Sequence, residues 1–282
     1  MKPVKFDYQS AATAPEVSAE LAAGSGATKL VAGAQSIGPM LNLRLVRPDR
    51  LIDISMLPEL RQAQKTADTV EIGAAVTHAE IEDGDVPGLT ADEMSKAPIA
   101  WLRDAAANIA HRAVRNRGTL GGSLAHADPA ADWVIVMTGL GATALLQGPE
   151  GHRRVSVSEF VTGPFETVLR PGELIAGVQI PRPGPGARWG YWKFVRQVGE
   201  FAKASATVLV DPDSLAPRIA VGALGRQPLL LDAEAAVAFV AGQVTAQEVL
   251  SAALPQRSTA ELALHVAALN NALAKAQNEP ES

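Results

Sequence analysis

The chain has 282 residues, 47% hydrophobic and 20% charged, with a formal net charge of −5; this is the composition of a globular protein of about two domains. The acidic balance argues against sequence-independent nucleic-acid binding, which needs a basic surface. With no cysteine anywhere, disulfides, Cys-ligated zinc and Cys-ligated iron–sulfur clusters are excluded from this chain.

In chain order, Met1 to Ser10 lacks the apolar core of a signal peptide. Pro15 to Ala23 predicts a helix and Thr28 to Val31 a short buried strand. The strand leads into the small-residue loop Ala32-Gly33-Ala34-Gln35-Ser36, after which Ile37 to Leu45 regains a helix-compatible pattern. Strand, small loop and helix start together expose backbone N–H groups with the positive end of the helix dipole behind them. Arg50–Ile54 and Thr69–Ala75 read as strands, Thr77-His78-Ala79-Glu80 as an N-cap entering a helix, and Pro98–His111 as a further helix.

The stretch RNRGTLGGSLAHADPAAD, Arg115 to Asp132, crowds Gly118, Gly121 and Gly122 against Thr119 and Ser123. Glycines permit backbone angles closed to other residues and let another molecule approach the main chain. A curled turn of this kind aims N–H groups at one point, as a cradle for phosphate oxygens; the plainer reading is a tight turn between strands. Asp128-Pro129 predicts a cap and a helix over Pro129 to Leu140. Gly148 to Gly151 predicts a hairpin between Ala142–Leu146 and Arg154–Val157, and Glu173–Ile180 a strand ending at Pro181. Pro181 to Gly186 reads as a linker, followed by strands at Gly190–Arg196, Ala204–Val210 and Arg218–Leu224. Two or three helices are expected within Asp232–Ala276, with residues 278–282 frayed. Trp133 to Gln147, the longest uncharged run, is too short to cross a bilayer, so a cytoplasmic chain with no membrane span is expected.

Three other motifs are weighed and set aside. Gly139 to Ala144 imitates a dinucleotide fingerprint, but a helix enters it and a hairpin leaves it, the reverse of the required context. Gly121 to Ala125 grazes a serine-hydrolase elbow, yet nearness of His126 and Asp128 in sequence gives no convergence in space. The five histidines show no metal-ligand spacing. Of these, His152 reads as a turn residue and His265 as a surface or partly buried packing residue. His126 alone, one step from the glycines, has a case for function, with a plain structural role as the alternative.

The two loop motifs, together with NLRLVRPDRLIDIS after the first, resemble the flavoprotein (medium) subunit of the molybdenum hydroxylases, the family of carbon monoxide dehydrogenase, xanthine dehydrogenase and the aldehyde oxidases. The resemblance runs from Lys2–Tyr8 to Gly222–Pro228. It implies an α+β fold: a two-lobed FAD-binding domain of mixed sheets with helices over 1–177, divided near 57, then an antiparallel sheet plus helices over 178–282. It also implies that FAD lies with its pyrophosphate between Ala32–Ser36 and Thr119–Gly122. Leu30 and Val31 would sit by the isoalloxazine ring, Ser123, His126 and Asp132 near the ribityl, ribose or adenine end, and Lys193 near the flavin. Lys29, Ile37 and Ile175 complete the implied cofactor-binding positions. The family usually carries a second glycine where this chain has Ala34, so slightly altered loop angles are expected. The resemblance implies no catalytic acid–base residue and no metal in this chain. Electrons would come from a large molybdopterin-binding subunit through the [2Fe–2S] clusters of a small one, in a dimer of heterotrimers, and would leave to a quinone, NAD⁺ or oxygen. The other readings are a free-standing FAD oxidoreductase, for which the chain leaves little substrate domain, and a flavin-free scaffold.

Overall fold

The computed structural model describes residues 2–24 and 27–278. The chain opens with β1 (Asp7–Ser10), α1 (Ala14–Ala23), β2 (Thr28–Val31), α2 (Ile37–Asn42) and β3 (Arg50–Asp53). The three strands pair in parallel in the order β1-β3-β2. Alternation along the strands divides the side chains between two helices. Leu30 and Ile52 pack with Ala14 and Val17 of α1, while Val31 and Leu51 pack with Leu41 of α2. The helix expected to reach Leu45 stops at Asn42. Arg44 turns left-handed at φ 57, and its N–H and that of Leu45 fold back to the carbonyls of Leu41 (3.0 Å) and Met40 (2.8 Å), a Schellman ending without its usual glycine.

The middle of the chain runs β4 (Ala63–Lys65), β5 (Thr69–Gly73), α3 (His78–Asp83), α4 (Ala91–Met94), α5 (Ile99–Ala107), α6 (Arg112–Arg115), α7 (Leu120–His126) and α8 (Asp132–Gly139). It continues through β6 (Thr143–Gly148), β7 (Gly151–Ser156), α9 (Val157–Phe160), β8 (Val161–Gly163), β9 (Glu166–Thr167) and β10 (Leu174–Pro181). An antiparallel sheet of order β4-β5-β10-β6-β7 results, and the expected hairpin closes with Gly148 opposite Gly151. The expected division at 177/178 falls inside β10, whose residues on both sides of it pair with β5. The helix expected from Pro129 begins at Asp132, because the Asp128 carboxylate takes the N–H of Ala130 (2.8 Å) in a local turn. The glycine-rich stretch forms the start of α7, capped by Thr119, and not a turn between strands.

After the Pro/Gly segment come β11 (Arg188–Phe194), β12 (Ala204–Val210), β13 (Arg218–Gly222) and β14 (Leu229–Leu230), paired antiparallel in that order. The chain ends with α10 (Ala233–Val240), α11 (Ala246–Ala253) and α12 (Thr259–Asn278); of residues 278–282, expected to fray, Asn278 is the last residue of α12 and 279–282 lie outside the described residues. One face of this last sheet packs on α10–α12. There Gly190 lets β11 approach α12 so closely that a Cβ would overlap the Ala272 carbonyl. The other face packs on α8, whose residues are all buried, as an apolar helix without a polar stripe requires. Trp189 and Tyr191 enter the same core as Trp133 and Phe160, and Trp189 stacks on Trp101 with ring centroids 5.9 Å apart. His265 is fully interior at 4% exposure, where sequence placed it nearer the surface, because α12 faces the sheet and its left-handed exit at Ala223.

Candidate cofactor site

The two small-residue loops meet. Gly33 is buried, and a Cβ there would overlap the carbonyl oxygen of Arg117 and lie 2.8 Å from Gly118 Cα. None of Gly33, Gly118, Gly121 and Gly122 takes a positive φ, so the expected need for special angles gives way to a need for space. A Cβ would stand 2.7 Å from His78 Nε2 at Gly118, 2.5 Å from Ala74 Cβ at Gly121 and 2.7 Å from Thr119 Oγ1 at Gly122. The left-handed residue of the first loop is Ala34, at φ 62; the methyl group is carried in a glycine-type conformation.

The backbone donors of the two loops have different fates. From Ala32 to Ile37 no N–H bonds to a protein acceptor among the described residues, and helical bonding starts only with Gly38 N–H to Ala34 O (2.9 Å). The Gln35 side chain turns back to Gly33 O (3.1 Å), and Ser36 is half-buried beside it. In the second loop Leu120 N–H bonds to Val76 O (3.0 Å), Gly121 N–H to Ala74 O (2.9 Å) and Ser123 N–H to Thr119 O (3.0 Å), while Gly122 N–H bonds to Thr119 Oγ1 (3.1 Å). Gly122 is exposed, and Ser123 and His126 are half-buried; the His126 ring meets Phe165 at 5.1 Å.

A polar chain leads from this seam toward the last sheet. His78 donates its backbone N–H to Gly118 O (2.9 Å), and its Nδ1 accepts the indole N–H of Trp133 (2.9 Å). Burial, helped by the charge of Arg115, lowers the His78 pKa to about 4, so the ring is neutral with its proton on Nε2. Next to Trp133, Asp132 accepts from Lys193 Nζ (2.6 Å) and from the Tyr191 hydroxyl. The Lys193 and Asp132 side chains are only 9% and 7% exposed, and burial, then the Asp132 charge, holds the Tyr191 phenol well above its ordinary value. Sequence reasoning missed His78; its one signal is the capping box Thr77–Glu80, which fixes its place at the first position of α3.

The remaining expected site residues are scattered more widely. Leu30 and Val31 turn into the apolar clusters on opposite faces of the first sheet, Ile175 into the main core, and Lys29 is exposed on β2. Among the described residues no group of His, Cys, Asp or Glu is placed to hold a metal ion, and no helix is long and apolar enough to cross a membrane.

Comparison with known proteins gives this geometry its setting. Residues 4–183 match the family described as the FAD binding domain in molybdopterin dehydrogenase. The alpha subunit of the 6-hydroxypseudooxynicotine dehydrogenase complex of Paenarthrobacter nicotinovorans is 38% identical over 213 residues, 76% of this chain and 69% of that protein. The carbon monoxide dehydrogenase medium chain of Hydrogenophaga pseudoflava is 32% identical over 254 residues, 90% of this chain and 86% of that one. Among solved structures, a chain of quinoline 2-oxidoreductase from Pseudomonas putida 86 superposes with a TM-score of 0.84 and 31% identity, covering 98% of both chains. With its matched α+β fold, the chain belongs to the FAD-binding medium subunits of the molybdenum hydroxylases, an oxidoreductase family.

Proposed function

We propose that the seam between Ala32–Ser36 and Thr119–Ser123 holds the diphosphate of FAD, and that this chain hands electrons from the [2Fe–2S] clusters of a small partner subunit to an external acceptor. The observation that carries the reading is the run of N–H groups from Ala32 to Ile37 without a protein acceptor among the described residues, set against the main chain of Arg117 and Gly118. Such a run is satisfied by water in the open cleft and by phosphate oxygens in a closed one.

The bound flavin supplies the redox chemistry, and the protein supplies binding, orientation and electrostatics. Ala32–Ser36 donates to the anion, α7 forms the rigid wall opposite, and the Asp132–Lys193 pair fixes a buried ammonium group at the far side of His78 and Trp133. The cysteine-free sequence assigns any iron–sulfur relay to another polypeptide. We accordingly place the chain in the cytoplasm, in a dimer of heterotrimers with a small [2Fe–2S] subunit and a large molybdopterin subunit. We keep the first lobe ending near residue 57 and move the second boundary from 177/178 to Pro181–Gly186, so that β10 stays whole.

The test is the visible spectrum and flavin stoichiometry of the purified full chain. One FAD per chain is expected, with bleaching of its band when substrate is added to the assembled complex. A colourless chain that takes up no FAD supports the scaffold reading and removes this one, while a flavin band that never bleaches removes the relay.

A further inference from the structure

At the carboxyl edge of the first sheet stands a polar cluster to which no role has been given. Val31 and Asp53 are register partners on adjacent parallel strands, so Asp53 stands beside the point where Ala32–Ser36 leaves β2. Tyr8 pairs in register with Leu51 and so shares a face with Asp53; its hydroxyl donates to Asp53 Oδ2. Asp53 Oδ1 accepts the Ser55 N–H (2.8 Å). The Arg117 charge acts on both Tyr8 and Asp53, and the carbonyl of the same Arg117 is what Gly33 packs against. With Tyr8 58% exposed, the cluster opens outward beside the unpaired N–H run.

A carboxylate is misplaced there as a phosphate ligand, since like charges repel. It is well placed for a neutral group attached to that phosphate. A carboxylate is acceptor-only with about four lone-pair sites; the Ser55 N–H and hydroxyl and the Tyr8 hydroxyl use three of them and leave room for one further donor. One hydroxyl of a vicinal pair offers that donor. In doubly wound dinucleotide folds an acid at the end of a strand takes the ribose hydroxyls while the preceding loop holds the diphosphate. Here the loop after β2 and the acid ending the neighbouring β3 stand in that relation.

We propose that Asp53, steadied by Tyr8 and Ser55 and flanked by Arg117, is the subsite for the cis-diol of the adenosine ribose of the bound dinucleotide. The proposal rests on the FAD reading above and extends it to a residue pair on the first sheet. It makes Asp53 a binding residue and Tyr8 a positioning residue for its carboxylate.

The experiment titrates the full chain, stripped of flavin, with FAD and with its analogue lacking the adenosine 2′-hydroxyl, following flavin fluorescence. Wild type is expected to prefer FAD by about tenfold, the scale of one hydrogen bond to a charged group. Asp53→Asn should bind FAD about tenfold more weakly and lose the preference to within about twofold. Tyr8→Phe should fall between the two. Should Asp53→Asn not fold, Tyr8→Phe decides: a reduced preference supports the subsite, and an unchanged one overturns it. A wild-type chain that binds neither compound overturns the FAD reading itself. Wild type binding both equally, or Asp53→Asn keeping the full preference, overturns the ribose subsite alone.

Discussion

Ala32–Ser36 and Thr119–Ser123 are built from the same kinds of residue and lie against each other, yet their backbones are used in different ways. In the first loop the N–H groups meet no protein acceptor among the described residues; in the second those of Leu120 to Ser123 are bonded to Val76, Ala74 and Thr119. Each such bond contributes about 0.5–1.5 kcal/mol net, so the second loop is held in place by the fold and the first is left with its hydrogen bonds to make. A glycine-rich composition therefore describes two devices, a donor array and a rigid wall. What separates them is the identity of the atoms that the N–H groups face. The glycines of both loops serve close packing: Gly121 of the wall exists because Ala74 is there, and Gly33 of the array because Arg117 is there.

The largest effect should come from putting a methyl group where the two loops touch. Gly33→Ala drives a Cβ into the backbone carbonyl of Arg117, which has no side-chain freedom to yield. We expect a stability loss of about 3 kcal/mol, read by denaturant melts of the flavin-free chain. FAD affinity should fall by about a hundredfold or more, equivalent to about 2.7 kcal/mol, since the donor array is pushed off the wall. Gly121→Ala meets Ala74 at 2.5 Å and should cost about 2 kcal/mol of stability with a smaller loss of affinity. Equal losses of FAD affinity at matched stability would erase the distinction between array and wall.

The wall leans on His78, and that support is sensitive to pH. Burial lowers the His78 pKa from 6.5 to about 4, so between those values the unfolded chain binds a proton that the folded chain refuses. Stability therefore rises with pH across this window and is lost as pH falls from 6.5 toward 4, by up to about 3 kcal/mol at 1.36 kcal/mol per unit. His78→Asn retains an acceptor for the Trp133 indole and has no such titration. Its stability should be flatter between pH 4 and 6.5; an unchanged slope would assign the effect to other groups.

A smaller effect separates the cap from the donors. Thr119→Ala removes the hydroxyl that accepts Gly122 N–H and should destabilise the chain by about 1 kcal/mol. Because this hydroxyl belongs to the wall, thermal melts should register the change before FAD titrations do. A loss of affinity without a loss of stability would reveal Thr119 as a direct ligand.

Much of this arrangement was readable before folding. The strand Thr28–Val31, the loop behind it, the hairpin at Gly148–Gly151 and the strands of the last sheet follow from local alternation and turn chemistry, and they form where expected. What escaped depends on contacts distant in sequence. Leu120–His126 is a helix despite two glycines because Ala74 and Val76 fix its first N–H groups, a tertiary override of weak propensity. The Asp128-Pro129 start failed because the aspartate bonds locally to Ala130. His78 was given no role beyond its place after a cap, because its partner Trp133 lies far along the chain. Family resemblance alone singled out Asp132 and Lys193, each as a cofactor-binding position, and their meeting was not foreseen; no spacing rule relates the start of a helix to a strand residue 61 positions on.

The finest test of the comparison is at Ala34, where the donor array bears its own strain. An alanine at φ 62 costs about 1 kcal/mol relative to a right-handed conformation, and glycine would relieve it. Ala34→Gly also frees the unfolded chain, which returns about half of that gain, so a net stabilisation of about 0.5 kcal/mol is expected. The sign carries the information. Because Ala34 already holds the left-handed angle, the N–H groups around it should keep their directions, and FAD affinity should change by less than about twofold, or 0.4 kcal/mol. A large gain in affinity would mean that the methyl group had been holding the array away from its ligand, and the first loop would then be a poised segment that binding must rearrange. An unchanged affinity with a slightly raised melting temperature would establish that the array is set by the backbone before anything binds, which is the property that distinguishes it from the wall.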